Sequence, residues 1–299
     1  FENPSKYKCV YEEKSKEELF YDDYCNWKRI NEYNKIIKVD SDKSLSIRSI
    51  LFGAISEGIS EVTNLLESED VHSTQKFIKT LGIKLKKIKK GKYLIYGQGL
   101  GSLYAPKNTT LDFGNSGTLC RLGSGLLATS PNLNLKLKGD KSLQKRNLKK
   151  LFDALSKFGA QFYPKNKSYL PIKLISSSIP TGINFVEKKG SAQMISAVTL
   201  AGLNTLAGKT KIIQEKESRD HTQIFLKNIG ADIKIKKIKK AKIIEIYGRK
   251  KLNNFKASIP GDPSSAAFFT ALTILQKNSS LKIKNIGLNP TRIGFYKIL

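Results

Sequence analysis

The amino-acid sequence repeats itself. Four segments share a polar, Ser- or Gly-rich start that runs into small apolar residues: Asp42-Lys43-Ser44-Leu45-Ser46-Ile47-Arg48-Ser49, Gly114-Asn115-Ser116-Gly117-Thr118-Leu119-Cys120-Arg121, Lys189-Gly190-Ser191-Ala192-Gln193-Met194-Ile195-Ser196 and Gly261-Asp262-Pro263-Ser264-Ser265-Ala266-Ala267-Phe268. Their starts lie 72, 75 and 72 residues apart. A second marker keeps step, because Leu81-Gly82-Ile83, Phe158-Gly159-Ala160 and Ile229-Gly230-Ala231 each close an amphipathic stretch and open a strand-like one. A period of this length means one supersecondary unit used several times, with neighbouring copies burying each other's apolar faces. Two markers on one period argue against a chance alternation of helices and hairpins.

Each copy reads as helix, strand, helix, strand, strand. In the first, the pattern predicts a helix over about 44–57, a strand near 60–64, a helix over about 70–81 and strands near 83–89 and 93–97. Ser, Asp and Asn at the starts suit N-caps, and the glycines after the amphipathic helices suit C-caps. The fourth copy begins at Asp262 and reaches only its second helix at Leu299. A domain ending there would leave an apolar face without a partner, so a fragment or a truncated chain is expected.

Composition excludes several classes. No stretch approaches ~18 uncharged apolar residues, so no membrane span is expected. Phe1-Glu2-Asn3-Pro4 has neither a basic start nor an apolar run, so no signal peptide is read. Three widely spaced cysteines, Cys9, Cys25 and Cys120, suit a reducing cytoplasm better than a disulfide framework. With two histidines, His72 and His221, and no Cys-x-x-Cys, no metal site is expected. The net charge of +28 on 299 residues raises nucleic acid as a partner. Only seven of the 53 basic residues are Arg, however, and the Lys runs alternate with apolar residues. Lys86-Lys87-Ile88-Lys89-Lys90 and Lys234-Ile235-Lys236-Lys237-Ile238-Lys239-Lys240 therefore read as edge or half-exposed strands with a solvated Lys face. No nucleic-acid partner is expected.

The scarce Arg residues cluster instead at the repeated starts. A helix N-terminus presents unpaired N–H groups and a positive dipole end, so it receives phosphate or carboxylate. Ser44 and Arg48 share a face, Lys43 precedes them, and Gly117 leaves the backbone at Asn115-Ser116-Gly117-Thr118 open to close approach. Ser191-Ala192-Gln193 offers hydroxyl and amide donors. Arg146 and Arg219 fall near the starts of second helices, after Gly139-Asp140 and Glu217-Ser218. Singly, each start is more often an N-cap only; the repetition points to a ring of donors around a polyanionic small molecule. Two lures carry less. Gly97-Gln98-Gly99-Leu100-Gly101 is followed by Pro106 and Lys107 where a dinucleotide-binding helix would start, so it reads as a turn. Ser218, Asp220 and His221 are adjacent in sequence and cannot form a nucleophile–base–orienter line.

Seven motifs follow one another in order along the chain: Asp42-Lys43-Ser44-x-Ser46-x-Arg48, Leu111-Asp112-x-Gly114-Asn115-Ser116-Gly117-Thr118-x-x-Arg121, Gly139-Asp140-x-Ser142-Leu143-x-Lys145-Arg146, Ser191-Ala192-Gln193, Ser218-Arg219-Asp220-His221-Thr222, Pro260-Gly261-Asp262-x-Ser264-Ser265-Ala266-Ala267 and Gly287-Leu288-Asn289-Pro290-Thr291-Arg292. With these motifs the chain, from about Lys35 to Leu299, resembles the 5-enolpyruvylshikimate-3-phosphate synthase family, the 3-phosphoshikimate 1-carboxyvinyltransferases. The resemblance implies an α/β (α+β) fold, the inside-out α/β barrel of βαβαββ units with the active site between two three-unit domains. It implies an unmatched lead segment at 1–33, a first domain at 34–258 whose residues 34–40 are candidates to pair with the second domain, and a truncated second domain at 259–299.

The same resemblance implies transfer of the enolpyruvyl group of phosphoenolpyruvate to the 5-hydroxyl of shikimate 3-phosphate, without metal or organic cofactor. By motif position Lys43, Asn115, Gly117, Arg121, Arg146 and Gln193 fall on the phosphoenolpyruvate side, with Lys43 also catalytic. Lys43, Ser44, Arg48, Ser191, Ala192, Gln193, Ser218 and Arg219 fall on the shikimate 3-phosphate side. Gly117 implies sensitivity to glyphosate, which occupies the phosphoenolpyruvate site in this family. A cytoplasmic, monomeric full-length enzyme is implied, and the 299 residues alone are expected not to turn over, since further catalytic residues would lie in the missing part. Asp40-Ser41, Asn147 and Ile195 depart from the family's usual Pro-Gly, Pro and Lys. The competing readings are a UDP-N-acetylglucosamine enolpyruvyl transferase, a non-catalytic truncated relative, and a basic RNA-binding protein of related repeat fold.

Overall fold

The computed structural model describes residues 33–238 and 241–299, and the backbone alone at 7–10 and 26–29. The remainder of the lead segment expected at 1–33, Cys25 and the Lys239-Lys240 pair lie outside the described residues. The chain divides into two compact units, one of residues 41–259 and one of residues 1–40 with 260–299.

The smaller unit begins with β1 (Tyr7–Val10) and β2 (Asn26–Arg29), an antiparallel pair, followed by β3 (Asn34–Ile37). The larger unit holds three copies of one motif. The first comprises α1 (Lys43–Ile55), β4 (Glu57–Thr63), α2 (Glu69–Thr80), β5 (Lys84–Lys89) and β6 (Lys92–Gln98). The second comprises β7 (Thr109–Asp112), α3 (Gly117–Thr129), β8 (Asn134–Lys138), α4 (Lys141–Gln144), α5 (Lys149–Ser156), β9 (Gln161–Tyr163) and β10 (Ile172–Ile175). The third comprises β11 (Asn184–Glu187), α6 (Ala192–Gly202), β12 (Lys209–Gln214), α7 (His221–Asn228), β13 (Asp232–Ile238) and β14 (Ala241–Tyr247), after which comes β15 (Lys256–Ser258). The smaller unit resumes with α8 (Pro263–Ile274), β16 (Ser280–Ile283) and α9 (Gly294–Ile298), and there β16 pairs in parallel with β3.

The three large-unit sheets have one topology. Their strand orders are β7-β8-β10-β9, β11-β12-β14-β13 and β15-β4-β6-β5. In each, a leading strand runs parallel to the strand after the first helix, and the last two strands add antiparallel. Copies two and three carry their own leading strand. Copy one takes β15, from the far end of the unit, with Lys256 opposite Glu61. The described strands of the larger unit form three separate four-stranded sheets, not one closed barrel.

Helices lie inside these sheets. α1 is buried at every position from Ser46 to Ile55 and α6 from Met194 to Gly202, while α3 is buried from Leu122 to Thr129. A helix apolar around its whole circumference belongs in a core, and the sheets supply the cover. One apolar cluster runs through the unit from Ile47 to Ile259. α3 and α6 approach so closely that a Cβ on Gly125 would stand 2.3 Å from the Ala197 carbonyl oxygen. The second helices are amphipathic, as the sequence predicts: α2 buries Val71, Thr74, Gln75 and Ile78, one stripe at helical spacing. Gly82, Gly159 and Gly230, the second repeat marker, sit at φ +84°, +94° and +106°. A side chain is strained there, which explains why glycine returns at that point of every copy.

The Lys-rich strands β5 and β13 are sheet edges, as their alternation predicts. The apolar partners in those runs are not buried, however: Ile88 is 46% and Ile238 50% exposed. The far ends of both strands extend past the core, so both faces meet water. The Gly97–Gly101 segment holds the turn read in the sequence at Leu100 and Gly101, while Gly97 and Gln98 complete β6. Gly97 lies there against α1, where a Cβ would be 2.1 Å from the Gly53 carbonyl oxygen.

Candidate functional site

Three N-caps of one design open the central helices. Asp42 accepts from the Leu45 N–H (2.9 Å), Ser116 from Leu119 (3.2 Å) and Ser191 from Met194 (3.3 Å). The caps leave the N–H groups of the first turn without intrahelical carbonyls. Every expected site residue lies within the larger unit, on these helix starts or on the segments that lead into the second helices.

The second copy assembles the densest cationic group. Arg146 Nη2 donates to Asn115 Oδ1 (2.9 Å), and Arg121 Nη1 donates to the Gly117 carbonyl (3.0 Å), one turn back on α3. A Cβ on Gly117 would lie 2.6 Å from Arg146 Nη1 and 3.1 Å from Arg121 Nη1. Both guanidinium groups therefore occupy the space that the missing side chain leaves. Burial, with the Arg146 charge as a smaller contribution, lowers the Arg121 pKa from its usual value. Arg146 is exposed.

Arg146 lies near the start of a second helix, as the sequence places it, but that helix is not continuous. The predicted second helix is split: α4 makes one turn, capped by Asp140 Oδ1 on the Leu143 N–H (2.7 Å), and α5 starts only at Lys149. Between them the N–H of buried Leu148 donates to the Ser168 carbonyl (2.7 Å) instead of continuing a helix. Arg146 thus leaves the break between the two helices, which turns it back towards Asn115.

The third copy joins the second. Gln193 Nε2 donates to Thr118 Oγ1 (2.9 Å), linking the starts of α6 and α3. Gly190 lies against the segment that holds Ser218 and Arg219, since a Cβ there would be 3.0 Å from the Glu217 carbonyl oxygen. Ser218 accepts from Gln214 Nε2 (3.1 Å), and Arg219 is exposed. Ser191 and Ala192 open α6, with partly exposed side chains.

In the first copy the expected residues separate. Lys43 is half exposed and pairs with Asp70 of α2 (3.0 Å). Arg48 turns inward and is 4% exposed. Its Nε donates to Thr222 Oγ1 (2.8 Å), Nη2 to Ser196 Oγ (3.1 Å), and Nη1 to the Ser44 carbonyl (3.1 Å) and hydroxyl. The shared face of Ser44 and Arg48 is present as predicted. Thr118, Ser196, Thr222 and Asp70 were not singled out in the sequence. The first three lie inside or beside the quoted motifs, so their proximity to the helix starts was the available signal.

A cavity of about 630 Å³ adjoins Asn115 and Asp140, bordered by His72, Ser73 and Lys76 of α2. A separate cavity of about 410 Å³ lies at the C-terminal ends of α1, α3 and α6, near Glu57, Thr129 and Asn204, and none of the expected site residues lines it. Among the described residues no three His, Cys, Asp or Glu side chains gather as a metal would require, and no helix is long and apolar enough to cross a membrane.

Comparison with known proteins gives this arrangement a family context. The family model for EPSP synthase (3-phosphoshikimate 1-carboxyvinyltransferase) matches residues 28–299. The 3-phosphoshikimate 1-carboxyvinyltransferase of Paramagnetospirillum magneticum is 38% identical over 262 residues, which is 87% of this chain and 58% of that protein. The protein of the same name from Novosphingobium aromaticivorans is 40% identical over 264 residues, 88% of this chain and 59% of that one. The solved EPSP synthase of Acinetobacter baumannii superposes with a TM-score of 0.81 at 34% identity, covering 90% of this chain and 60% of its own. The chain therefore spans about three fifths of the length of these relatives.

Proposed function

The chain belongs to the EPSP synthase (3-phosphoshikimate 1-carboxyvinyltransferase) family, and from that premise we propose that its helix starts bind phosphoenolpyruvate and shikimate 3-phosphate for enolpyruvyl transfer. The observation that carries the reading is the pair of guanidinium groups of Arg121 and Arg146 gathered over Gly117, beside the Gln193–Thr118 bridge. Fixed cations and first-turn N–H groups around one small space suit a ligand with both phosphate and carboxylate.

In the proposed reaction the methylene carbon of phosphoenolpyruvate takes a proton, and the 5-hydroxyl oxygen of shikimate 3-phosphate bonds to the adjacent carbon. The resulting tetrahedral species loses phosphate and a proton to give the enolpyruvyl ether. Lys43, Asn115, Gly117, Arg121, Arg146 and Gln193 hold the phosphoenolpyruvate side, where preorganised cations stabilise the developing charge. Lys43 is shared with the shikimate 3-phosphate side, which Ser44, Arg48, Ser191, Ala192, Gln193, Ser218 and Arg219 complete. Glyphosate competes at the Gly117 side. The full-length protein acts as a cytoplasmic monomer without a nucleic-acid partner; the dispersal of Lys over the separate edges β5 and β13 supports that part. The 299 residues alone bind without turnover.

Isothermal titration of the chain with shikimate 3-phosphate tests the reading, with UDP-N-acetylglucosamine as the competing probe. Binding of the first and not the second is expected, and the reverse would overturn the proposal. Cys120, buried in α3, supports the first choice over an enzyme that needs a reactive loop thiol.

A further inference from the structure

We infer that Thr222 and Ser196 are positioning residues that fix the Arg48 guanidinium and, through it, turn the Ser44 hydroxyl into a donor aimed at an anionic ligand; this rests on the shikimate 3-phosphate reading of that site. Four groups from three helices meet here: Ser44 and Arg48 on α1, Ser196 on α6 and Thr222 on α7. Arg48, Ser196 and Thr222 are 4%, 1% and 1% exposed. Bulk solvent does not reach them, so the hydrogen bonds among the protein groups set where each proton points.

The donors can be assigned one after another. Arginine only donates, and a carbonyl only accepts. Ser196 Oγ lies 2.7 Å from the Ala192 carbonyl oxygen and so gives its single proton there. Ser196 must then accept from Thr222, whose Oγ1 is 2.7 Å away. Thr222, having donated its proton, accepts from Arg48 Nε at 2.8 Å, and Ser196 accepts as well from Arg48 Nη2 at 3.1 Å. The chain Arg48, Thr222, Ser196, Ala192 has one polarity from end to end. It terminates on the first residue of α6, itself one of the proposed ligand-binding positions.

The consequence appears at the other end of the guanidinium. A planar fork bonded at Nε and Nη2 has no freedom to rotate, so Nη1 is held on Ser44. Its Nη1 donates to the Ser44 hydroxyl oxygen, which leaves the Ser44 proton directed away from Arg48. Ser44 is only partly buried, on the second position of α1. A hydroxyl of either polarity thus becomes a committed donor beside the first-turn N–H groups, which is what a phosphate or carboxylate requires.

The test uses the 299-residue chain and shikimate 3-phosphate, with calorimetric affinity and thermal melting of each variant without ligand. Thr222→Val keeps the side-chain shape and removes the acceptor; Thr222→Ser restores it. The expected result is about a tenfold loss of affinity for Thr222→Val, from one charge-assisted hydrogen bond, with Thr222→Ser within about twofold of the parent. If Thr222→Val fails to fold, Ser196→Ala removes the next link and is expected to lose several-fold. Equal affinity in the parent and in whichever of these variants folds, even with a lowered melting temperature, would mean that the hydroxyls only stabilise the fold, and would overturn the inference alone. A parent chain that does not bind shikimate 3-phosphate would overturn the underlying site reading and this inference together.

Discussion

Gln193 and Thr118 hold the second position of two copies of the same helix, 75 residues apart, and Gln193 Nε2 donates to Thr118 Oγ1 at 2.9 Å. The repeat has therefore brought equivalent residues of different copies into direct contact. A related tie joins the other ends of these helices, where Asn204 Nδ2 donates to the Thr129 carbonyl at 2.6 Å. Between the two, Gly125 lets the helix backbones touch. The start of one copy is thus placed by its neighbour, and the proposed site inherits that rigidity.

Substitution at Gly117 should separate binding from stability. A Cβ would meet only the ends of two flexible side chains, Arg146 Nη1 at 2.6 Å and Arg121 Nη1 at 3.1 Å. Gly117→Ala is therefore expected to fold with little loss of stability, because both ends can move aside. It should weaken phosphoenolpyruvate by about tenfold or more, the value of one displaced charge-assisted contact. Urea denaturation and competition binding on the same preparation measure the two effects.

Gly125 should behave in the opposite way. Its Cβ would stand 2.3 Å from a backbone oxygen of α6, so the helices themselves must part. Gly125→Ala is expected to cost at least about 1–3 kcal/mol, the usual penalty of overpacking. Gly53→Ala is the comparison, because its Cβ meets side-chain atoms of the buried Ile95 (Cδ1 at 2.8 Å, Cβ and Cγ2 at 3.2 Å) and no backbone, so the closest atom can turn aside without parting two helices. Chemical denaturation should rank Gly125→Ala as the less stable of the two.

Glu67 gives a pH signature. Its carboxylate accepts from the Gly91 N–H (3.0 Å), Lys87 Nζ (2.9 Å) and the Tyr93 hydroxyl (2.8 Å). The Gly91 hydrogen bond, then that of Lys87, hold its pKa at about 2. A carboxyl whose folded pKa is depressed contributes stability above its unfolded pKa and loses it as pH falls towards the folded value. The melting temperature of the parent should therefore exceed that of Glu67→Gln at pH 6. The gap should close as pH drops from about 4.5 to about 2. A gap that stays constant over that range would contradict this account.

Cys120 should be chemically silent. Burial pushes its thiol up to about 12, against the smaller opposing pull of Arg121 and Arg146. The thiolate is the reactive form, so native protein treated with iodoacetamide at pH 8 should carry no label at Cys120. Labelling should appear on unfolding, and peptide mapping distinguishes it from Cys9 and Cys25.

Much of this was legible in the sequence, for reasons that differ by residue. The helices and strands of the first copy were readable because their apolar spacing is local. Gly82, Gly159 and Gly230 marked the period because each meets the same backbone requirement. Three features were not readable. The break at Arg146 depends on where the Leu148 N–H goes, and its acceptor, Ser168, lies 20 residues away. The hydroxyls of Ser196 and Thr222 look like any other serine and threonine until α6 and α7 bring them to Arg48. The leading strand of the first sheet has no local signature at all, since its partner is distant.

That last feature sets an order of events during synthesis. Thr63 of β4 donates through its hydroxyl to the Ala257 carbonyl oxygen, 194 residues further along the chain. At about 5–20 residues per second, roughly 10–40 s separate the making of β4 from that of the strand that covers its edge. Copies two and three close their own sheets as they emerge, whereas the first waits with an open strand edge, the kind of surface that invites pairing with another nascent chain. Of the three copies in the larger unit, the first made is the last to be finished, and its waiting time is an interval in which that strand edge is open to misassembly.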